Sequence, residues 1–332
     1  MFKKDALQII AFKTYGTESH LYLRGRALED ENIELNTKGF GSIFRNTWKR
    51  FETDEVKNAS VQITLKNKKS LQTVTDLEGY FLIDQTIENL HAFLSEDGWL
   101  PYTIKYQKPE NLKNPITHKN TFSGEMLVVS PHAEFGVISD VDDTILHTGV
   151  ASLFKWRAVF NTFFIPVFRR KAIEGTADFY RKLHKGKTHT NSNPIFYVSN
   201  SPWNLYAYLD FFLSNNNFPK GALLLRDLRH LWDKTPKPKI SHKHHEIQNI
   251  LNTYPKLSFV LIGDCGEHDP DIYKDIVAKN PNRISAMYLR SVKNQRKMLR
   301  VKKLFQNYKE VEVVLVYHTK EAIAHAKRKN LL

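Results

Sequence analysis

The apolar run "FGVIS" at 135–139 leads straight into the carboxylates Asp140, Asp142 and Asp143 and leaves through Thr144 and Ile145. A short apolar run bounded by polar residues reads as a buried parallel strand. Carboxylates are seldom kept inside a protein unless they are paired or hold a metal. The ends of parallel strands are also where open α/β sheets bind their ligands. The pattern therefore predicts metal-dependent chemistry at a strand tip. A calcium loop starting at Asp140 would need Gly at its sixth position and Glu at its twelfth. The chain has Ile145 and Ala151 there, so that reading fails.

A second acidic pair follows another apolar run. In "FVLIGDCGEHD", Asp264 comes directly after the strand pattern and Asp269 five residues later. Parallel strands bring their C-terminal ends to one edge, so the two acidic tips can converge. Hard oxygen ligands with room for waters and a phosphate are what Mg²⁺ prefers. A third run, "PIFYVS" at 194–199, ends at Ser199 and Asn200 ahead of the helical pattern "WNLYAYLDFFL". A hydroxyl and open N–H groups at a helix start would cradle an anion, with Ser201 and Pro202 as helix-opening residues and Ser201 as a cap. "SHKHHEIQNIL" opens a further helix, with Lys243 near its start. A lysine there can hold a carboxylate and a phosphate together at the same edge.

The elements that must position these groups follow from the rhythm of the chain. From residue 134 onward, buried strand patterns alternate with amphipathic helical ones, which predicts a parallel sheet covered by helices on both faces. Before that, stretches such as "ASVQITL" at 59–65 alternate with period two, and "QTVTDLEGYFLID" at 72–84 reads as two strands joined by a turn at 76–79. These predict a small β-sandwich, with Asp76 and Glu78 as turn residues. The expected domains are 1–131 and 132–332, the sandwich preceding the α/β domain.

Charge divides the same way. Residues 1–132 carry 17 Lys+Arg against 17 Asp+Glu, and residues 133–332 carry 32 against 18. The net +14 thus belongs to the second part, which suits either an anionic partner or simply a soluble lysine-rich surface. The single cysteine, Cys265, rules out an internal disulfide framework and fits a reducing compartment. No apolar run reaches the ~18 residues of a membrane span. The expectation is a cytoplasmic protein, peripheral at a membrane if it meets one.

Together, Asp140 to Thr144, Ser199, Lys243 and Gly263 to Asp269 resemble, in order, the four motifs of the haloacid dehalogenase superfamily of phosphotransferases. More narrowly, "GVISDVDDTI", "YVSNSPWNLY", "LLLRD" and "GDCGEHDPDIY" are similar to the Mg²⁺-dependent phosphatidate phosphatase family first named for a yeast actin-patch protein. The likeness covers about residues 134–332 and extends more weakly into "LRGRALED" and "DLEGYF". Cys265 stands where a serine or similar small residue is expected. The resemblance implies a Rossmann-like parallel sheet with a small helical cap. It implies Asp140 as nucleophile, Asp142 as general acid and base, and Ser199 and Lys243 on the phosphoryl oxygens. Mg²⁺ would sit on Asp140, Asp264 and the backbone carbonyl of Asp142, with Asp269 in support. Thr144, Asn200 and Arg226 are the candidate substrate contacts, Arg226 being equally readable as a surface pair with Asp227.

Other clusters carry less. His242, His244, His245 and His268 fit no closed zinc site and read as solvated helix histidines. The basic stretch at 289–306 reads first as a solvated helix. Leu153, Trp156, Val159, Phe160 and Phe163 recur at helical steps, with Lys155 and Arg157 beside them and Arg169, Arg170 and Lys171 beyond Pro166. That segment reads as a cap packed on the core or as a face receiving lipid from an anionic interface. The expected function is hydrolysis of a phosphomonoester, phosphatidate to diacylglycerol first. The alternatives are a phosphatase of soluble or nucleic-acid-end phosphomonoesters and a non-enzymatic binder of anionic membrane. Nucleic acid is disfavoured because the aromatics are bunched rather than strung along a groove. The sequence names no partner for the N-terminal domain.

Overall fold

The computed structural model describes residues 6–30, 55–112, 114–142, 144–145, 172–187, 193–226 and 240–332. Asp143, Asp227 and the cap segment at 152–171 lie outside the described residues. The chain divides into two compact units, residues 1–129 with Tyr206–Tyr208, and residues 130–205 with 209–332.

The first unit is built of strands. β1 (Ala6–Ala11), β3 (His20–Asp30) and β6 (Tyr80–Thr86) form one antiparallel sheet in the order β1-β3-β6, with β2 (Thr14–Gly16) between the first two in sequence. The second sheet has the order β2-β8-β7-β4-β5, adding β4 (Ser60–Leu65), β5 (Ser70–Val74), β7 (Trp99–Tyr106) and β8 (Phe122–Val128). Alternation decides which face is covered: Val61, Ile63 and Leu65 of β4 are buried while the residues between them are not. They join Leu21, Leu23 and Phe81 of the first sheet in one core, so the two sheets pack face to face. The turn at 76–79 is present, but it joins strands of different sheets, since β5 pairs with β4 and β6 with β3. Asp76 Oδ1 accepts the N–H groups of Glu78 and Tyr80, and Gly79 takes the left-handed φ of 78° that the corner needs. Asp76 is a turn residue, as its position suggested.

The second unit contains a parallel sheet of six strands among the described residues: β9 (Gly136–Ser139), β10 (Ile195–Pro202), β11 (Ala222–Arg226), β12 (Phe259–Asp264), β13 (Ile284–Arg290) and β14 (Val313–Val316). Each falls on an apolar run of the sequence. Their order, β11-β10-β9-β12-β13-β14, runs outward from β9 in both directions, so the topology reverses between β9 and β12. The helices are α1 (Thr176–Lys185), α2 (Tyr206–Asn215), α3 (His242–Thr253), α4 (Asp269–Lys279), α5 (Gln295–Leu304) and α6 (Thr319–Arg328). Successive residues of β10 look to opposite faces. Phe196 meets Tyr254 at the end of α3, and Tyr197 stacks on Tyr180 of α1 with ring centres 6.4 Å apart. Burial on both faces explains why these strands read as unbroken apolar runs rather than as alternations.

Candidate active site

The crevice at the topological reversal is lined by the tips of β9 and β12. Asp140 follows β9 directly, and its N–H still donates to Ile262 O of β12 at 2.9 Å. Its side chain is sealed from solvent and accepts a hydrogen bond from Thr144 Oγ1 at 3.0 Å through Oδ2. On the other oxygen, the Lys243 ammonium lies 2.7 Å from Oδ1 as an ion pair. Lys243 is the second residue of α3, whose start is fixed by Ser241 Oγ accepting the N–H of His244. The same ammonium reaches Asp269 Oδ1 at 2.7 Å and Glu267 Oε2 at 3.2 Å.

Asp264 ends β12. Its Oδ1 accepts the N–H groups of Gly266 and Glu267 at 2.6 and 2.7 Å, folding the "DCGEHD" loop back over the strand end. Asp269 begins α4 and is equally buried, its Oδ2 accepting the Asp264 N–H at 3.3 Å. Gly263 makes this approach possible, because a Cβ there would stand 2.6 Å from Asp269 Oδ2 and 2.8 Å from the Tyr273 ring. Asp142 lies across the crevice on the β10 side. Its Oδ2 accepts hydrogen bonds from Ser199 Oγ at 2.6 Å and Ser201 Oγ at 3.0 Å.

So many buried carboxylates around one ammonium set the electrostatics. Burial, opposed by Lys243 and reinforced by Asp269, Asp142 and Glu267, holds the Asp140 carboxyl well above the usual range. Burial alone would discharge Lys243, yet Asp140, Asp269 and Glu267 together keep its ammonium above the ordinary lysine value. Burial and Asp269 push Asp264 up to about 7. The site is short of positive charge.

That shortage bears on a metal. Asp140, Glu267 and Asp269 offer oxygens within 4.8 Å of one another, but the Lys243 ammonium already stands among them. Asp264 Oδ2 is different: it is buried and has no hydrogen-bond partner among the described residues. A buried carboxylate oxygen left without a partner at the tip of β12, the strand next to β9, fits a hard divalent cation. Both Asp269 oxygens are taken up by Lys243 and the Asp264 N–H, which suits a supporting role.

The structure thus brings Asp140, Asp142, Thr144, Ser199, Lys243, Asp264 and Asp269 to one crevice. Asn200 sits between the two serines on β10 and makes no side-chain hydrogen bond among the described residues. Arg226 ends the edge strand β11, with β10 between it and β9. Glu267 was not anticipated; it belongs to the cage around Lys243. Ser201 is not a helix cap. β10 continues to Pro202, a 3₁₀ turn spans Trp203–Leu205, and α2 starts only at Tyr206, so the helix start is not next to Ser199. Nor are the α3 histidines all solvated, since His244 is buried with Nε2 2.5 Å from Asp275 Oδ2. Cys265 is buried and its thiol is pushed up to about 12 by burial, which leaves it no nucleophilic thiolate at neutral pH.

The sequence is similar to those of known proteins. The model for the family described as "Phosphatidate phosphatase APP1, catalytic domain" matches residues 135–291. The phosphatidate phosphatase APP1 of Saccharomyces cerevisiae is 33% identical over 248 residues, 74% of this chain and 40% of that protein. An uncharacterised protein of Schizosaccharomyces pombe is 29% identical over 228 residues, 66% of this chain and 34% of that protein. A solved CARDB domain from Pyrococcus furiosus aligns over 39% of this chain and 92% of that one, at 8% identity and a TM-score of 0.21. The chain spans well under half the length of the curated relatives it matches. Among the described residues no helix is long and apolar enough to cross a membrane. Across residues 135–291, which hold β9 to β13, the chain belongs to the family of the phosphatidate phosphatase APP1 catalytic domain.

Proposed function

We propose that this chain is a Mg²⁺-dependent phosphomonoester phosphatase of the haloacid dehalogenase type, acting on phosphatidate to release diacylglycerol. The observation that carries the reading is the buried Asp140–Lys243 pair at the tip of the central strand, with Asp142 held a short way across the crevice. A carboxylate sealed from water at a ligand-binding edge, with its counter-ion supplied by a helix start, is a costly arrangement that packing alone does not require. The phospholipid assignment rests on the family shared with the yeast enzyme.

In the first half-reaction an Asp140 carboxylate oxygen forms a bond to phosphorus as the bond from phosphorus to the alkoxy oxygen breaks. Asp142 gives its proton to the departing alkoxide. In the second half a water attacks phosphorus of the aspartyl-phosphate and Asp142 takes its proton, releasing inorganic phosphate and restoring Asp140. Lys243 holds Asp140 in place and presents positive charge to the phosphoryl oxygens. Thr144 fixes the Asp140 carboxylate plane through Oδ2. Mg²⁺, held by Asp140, Asp264 and the Asp142 carbonyl, would neutralise the charge of the transferring group and keep Asp140 ionised. The test is phosphate release from phosphatidate, lysophosphatidate, glycerol phosphate and end-phosphorylated oligonucleotides, with Mg²⁺ and with EDTA. Preference for the lipids, lost in EDTA, supports the reading. Release only from oligonucleotide ends moves the substrate, and no release from any of them overturns the enzyme.

A further inference from the structure

The two serines at the end of β10 share one acceptor, and a hydroxyl has only one proton to give. Ser199 Oγ spends its proton on Asp142 Oδ2 at 2.6 Å and accepts the Ser201 N–H at 2.8 Å. Ser201 Oγ donates to the same Asp142 oxygen at 3.0 Å. All three side chains are buried. The backbone is shaped for this. β10 and β11 are in register up to Val198 opposite Leu224, and pairing resumes with Pro202 opposite Arg226, so four steps along β10 match two along β11. Such an irregularity beside a ligand-binding edge re-aims side chains out of the ladder. Here it delivers two hydroxyls to one carboxylate oxygen, where a regular strand would have kept its ladder.

Two donors on one oxygen are redundant until substrate arrives. If Ser199 is to reach a phosphoryl oxygen, it must withdraw its proton from Asp142, and Ser201 is then the donor of this pair that stays on Oδ2. We propose that Ser201 is the positioning residue for Asp142: its hydroxyl keeps hold of Oδ2 while Ser199 turns to the phosphoryl group, so that the acid proton rides on the other oxygen toward the leaving group. The inference rests on the phosphatase reading above. It concerns the protonation of the leaving group, and that step can be isolated.

The value of kcat/KM reports events up to departure of the leaving group. It is measured for glycerol phosphate, whose alkoxide needs a proton, and for p-nitrophenyl phosphate, whose phenolate needs none. General acid catalysis contributes about a hundredfold or more to the first and little to the second. In Ser201→Ala the ratio of alkyl to aryl kcat/KM falls at least about tenfold, since a mispositioned acid loses part of that contribution. If the protein with Ala does not fold, Ser201→Cys, which is slightly larger and replaces the hydroxyl with a weaker donor, takes its place in the same comparison. A ratio equal to that of the wild type, whether both substrates slow together or neither does, makes Ser201 a packing residue and overturns the inference. A wild type that hydrolyses neither compound nor phosphatidate overturns the phosphatase reading itself and the inference with it.

Discussion

The Lys243 ammonium lies 2.7 Å from Asp140 Oδ1, and both side chains are closed off from solvent. Neither residue is near the other in sequence. One directly follows the strand β9 and the other lies in the first turn of a helix that begins about a hundred residues later. Their pairing joins the nucleophile candidate to the Asp264–Asp269 loop, because the same ammonium holds Asp269. Removing either partner therefore has different consequences for chemistry and for stability.

Asp140→Asn keeps the shape of the side chain but cannot attack phosphorus. Phosphate release should fall at least about a thousandfold, in the range typical of a lost nucleophile. Stability should not fall with it. Burial and three neighbouring carboxylates disfavour the ionised Asp140, and Lys243 retains Asp269 and Glu267. The metal-free variant should melt at or above the wild-type temperature. Near-normal turnover from a folded Asp140→Asn protein would remove Asp140 from the nucleophile's role.

Lys243→Met should behave in the opposite way. It leaves Asp140, Asp269 and Glu267 facing one another without their shared counter-ion. Breaking a buried ion pair by deleting one partner costs about 3–5 kcal/mol. Urea unfolding at neutral pH should show the loss as a lower midpoint with an unchanged slope. An unchanged midpoint would mean that Lys243 is not what holds these three carboxyl groups together.

These residues differ in how readily the sequence betrays them. Asp140 and Asp264 each close an unbroken apolar run, and a carboxylate at such a place has few structural explanations. Lys243 was legible because a helix pattern begins just ahead of it. Glu267 was not, since "GEHDP" looks like any hydrophilic loop. Only the Gly266 and Glu267 N–H groups bonding to Asp264 Oδ1 turn it inward. Ser201 was misread because Ser-Pro is an ordinary helix opening, and nothing local reveals that β10 continues through it. In the first unit, β3 went unread although Leu21, Leu23 and Ala27 alternate with the polar positions Arg24 and Arg26, because Gly25 leaves a gap in the apolar face. The two arginines are accommodated over the Tyr80 ring, 5.3 and 4.8 Å from its centre. The turn at 76–79 announced a change of direction. It carried no information on which sheet each flanking strand joins.

The segment at 152–171 provides a prediction that depends on sequence alone. Arg169→Gln, Arg170→Gln and Lys171→Gln together remove three positive charges beside an aromatic-rich amphipathic pattern. Each basic residue near an anionic surface contributes about 1 kcal/mol to binding it. The triple variant should sediment less with vesicles containing phosphatidylserine and show a raised apparent KM for vesicle-borne phosphatidate. Turnover of a soluble short-chain phosphomonoester should hold. Equal vesicle binding and equal lipid kinetics would make the segment a cap without a lipid-receiving role.

Asp264 links metal binding to pH through stability. In the metal-free fold its carboxyl is pushed up to about 7 by burial and by Asp269. In an unfolded chain it titrates at about 3.9. Between those values the folded state binds more protons than the unfolded one, so this group makes stability decline as pH rises from about 4 to about 7, with no further decline above. Asp264→Asn removes the ionisable group while retaining much of its shape. Melting curves in EDTA across that range should therefore fall more steeply with pH for the wild type than for the variant. Mg²⁺ added at a pH above about 7 binds the ionised fold and should raise the wild-type melting temperature by mass action. The gain should be smaller in the variant, which offers one anionic ligand fewer. Parallel pH profiles in EDTA would show that Asp264 is not strained toward its protonated form. An equal Mg²⁺ shift in both proteins would remove it from the set of residues that hold the ion.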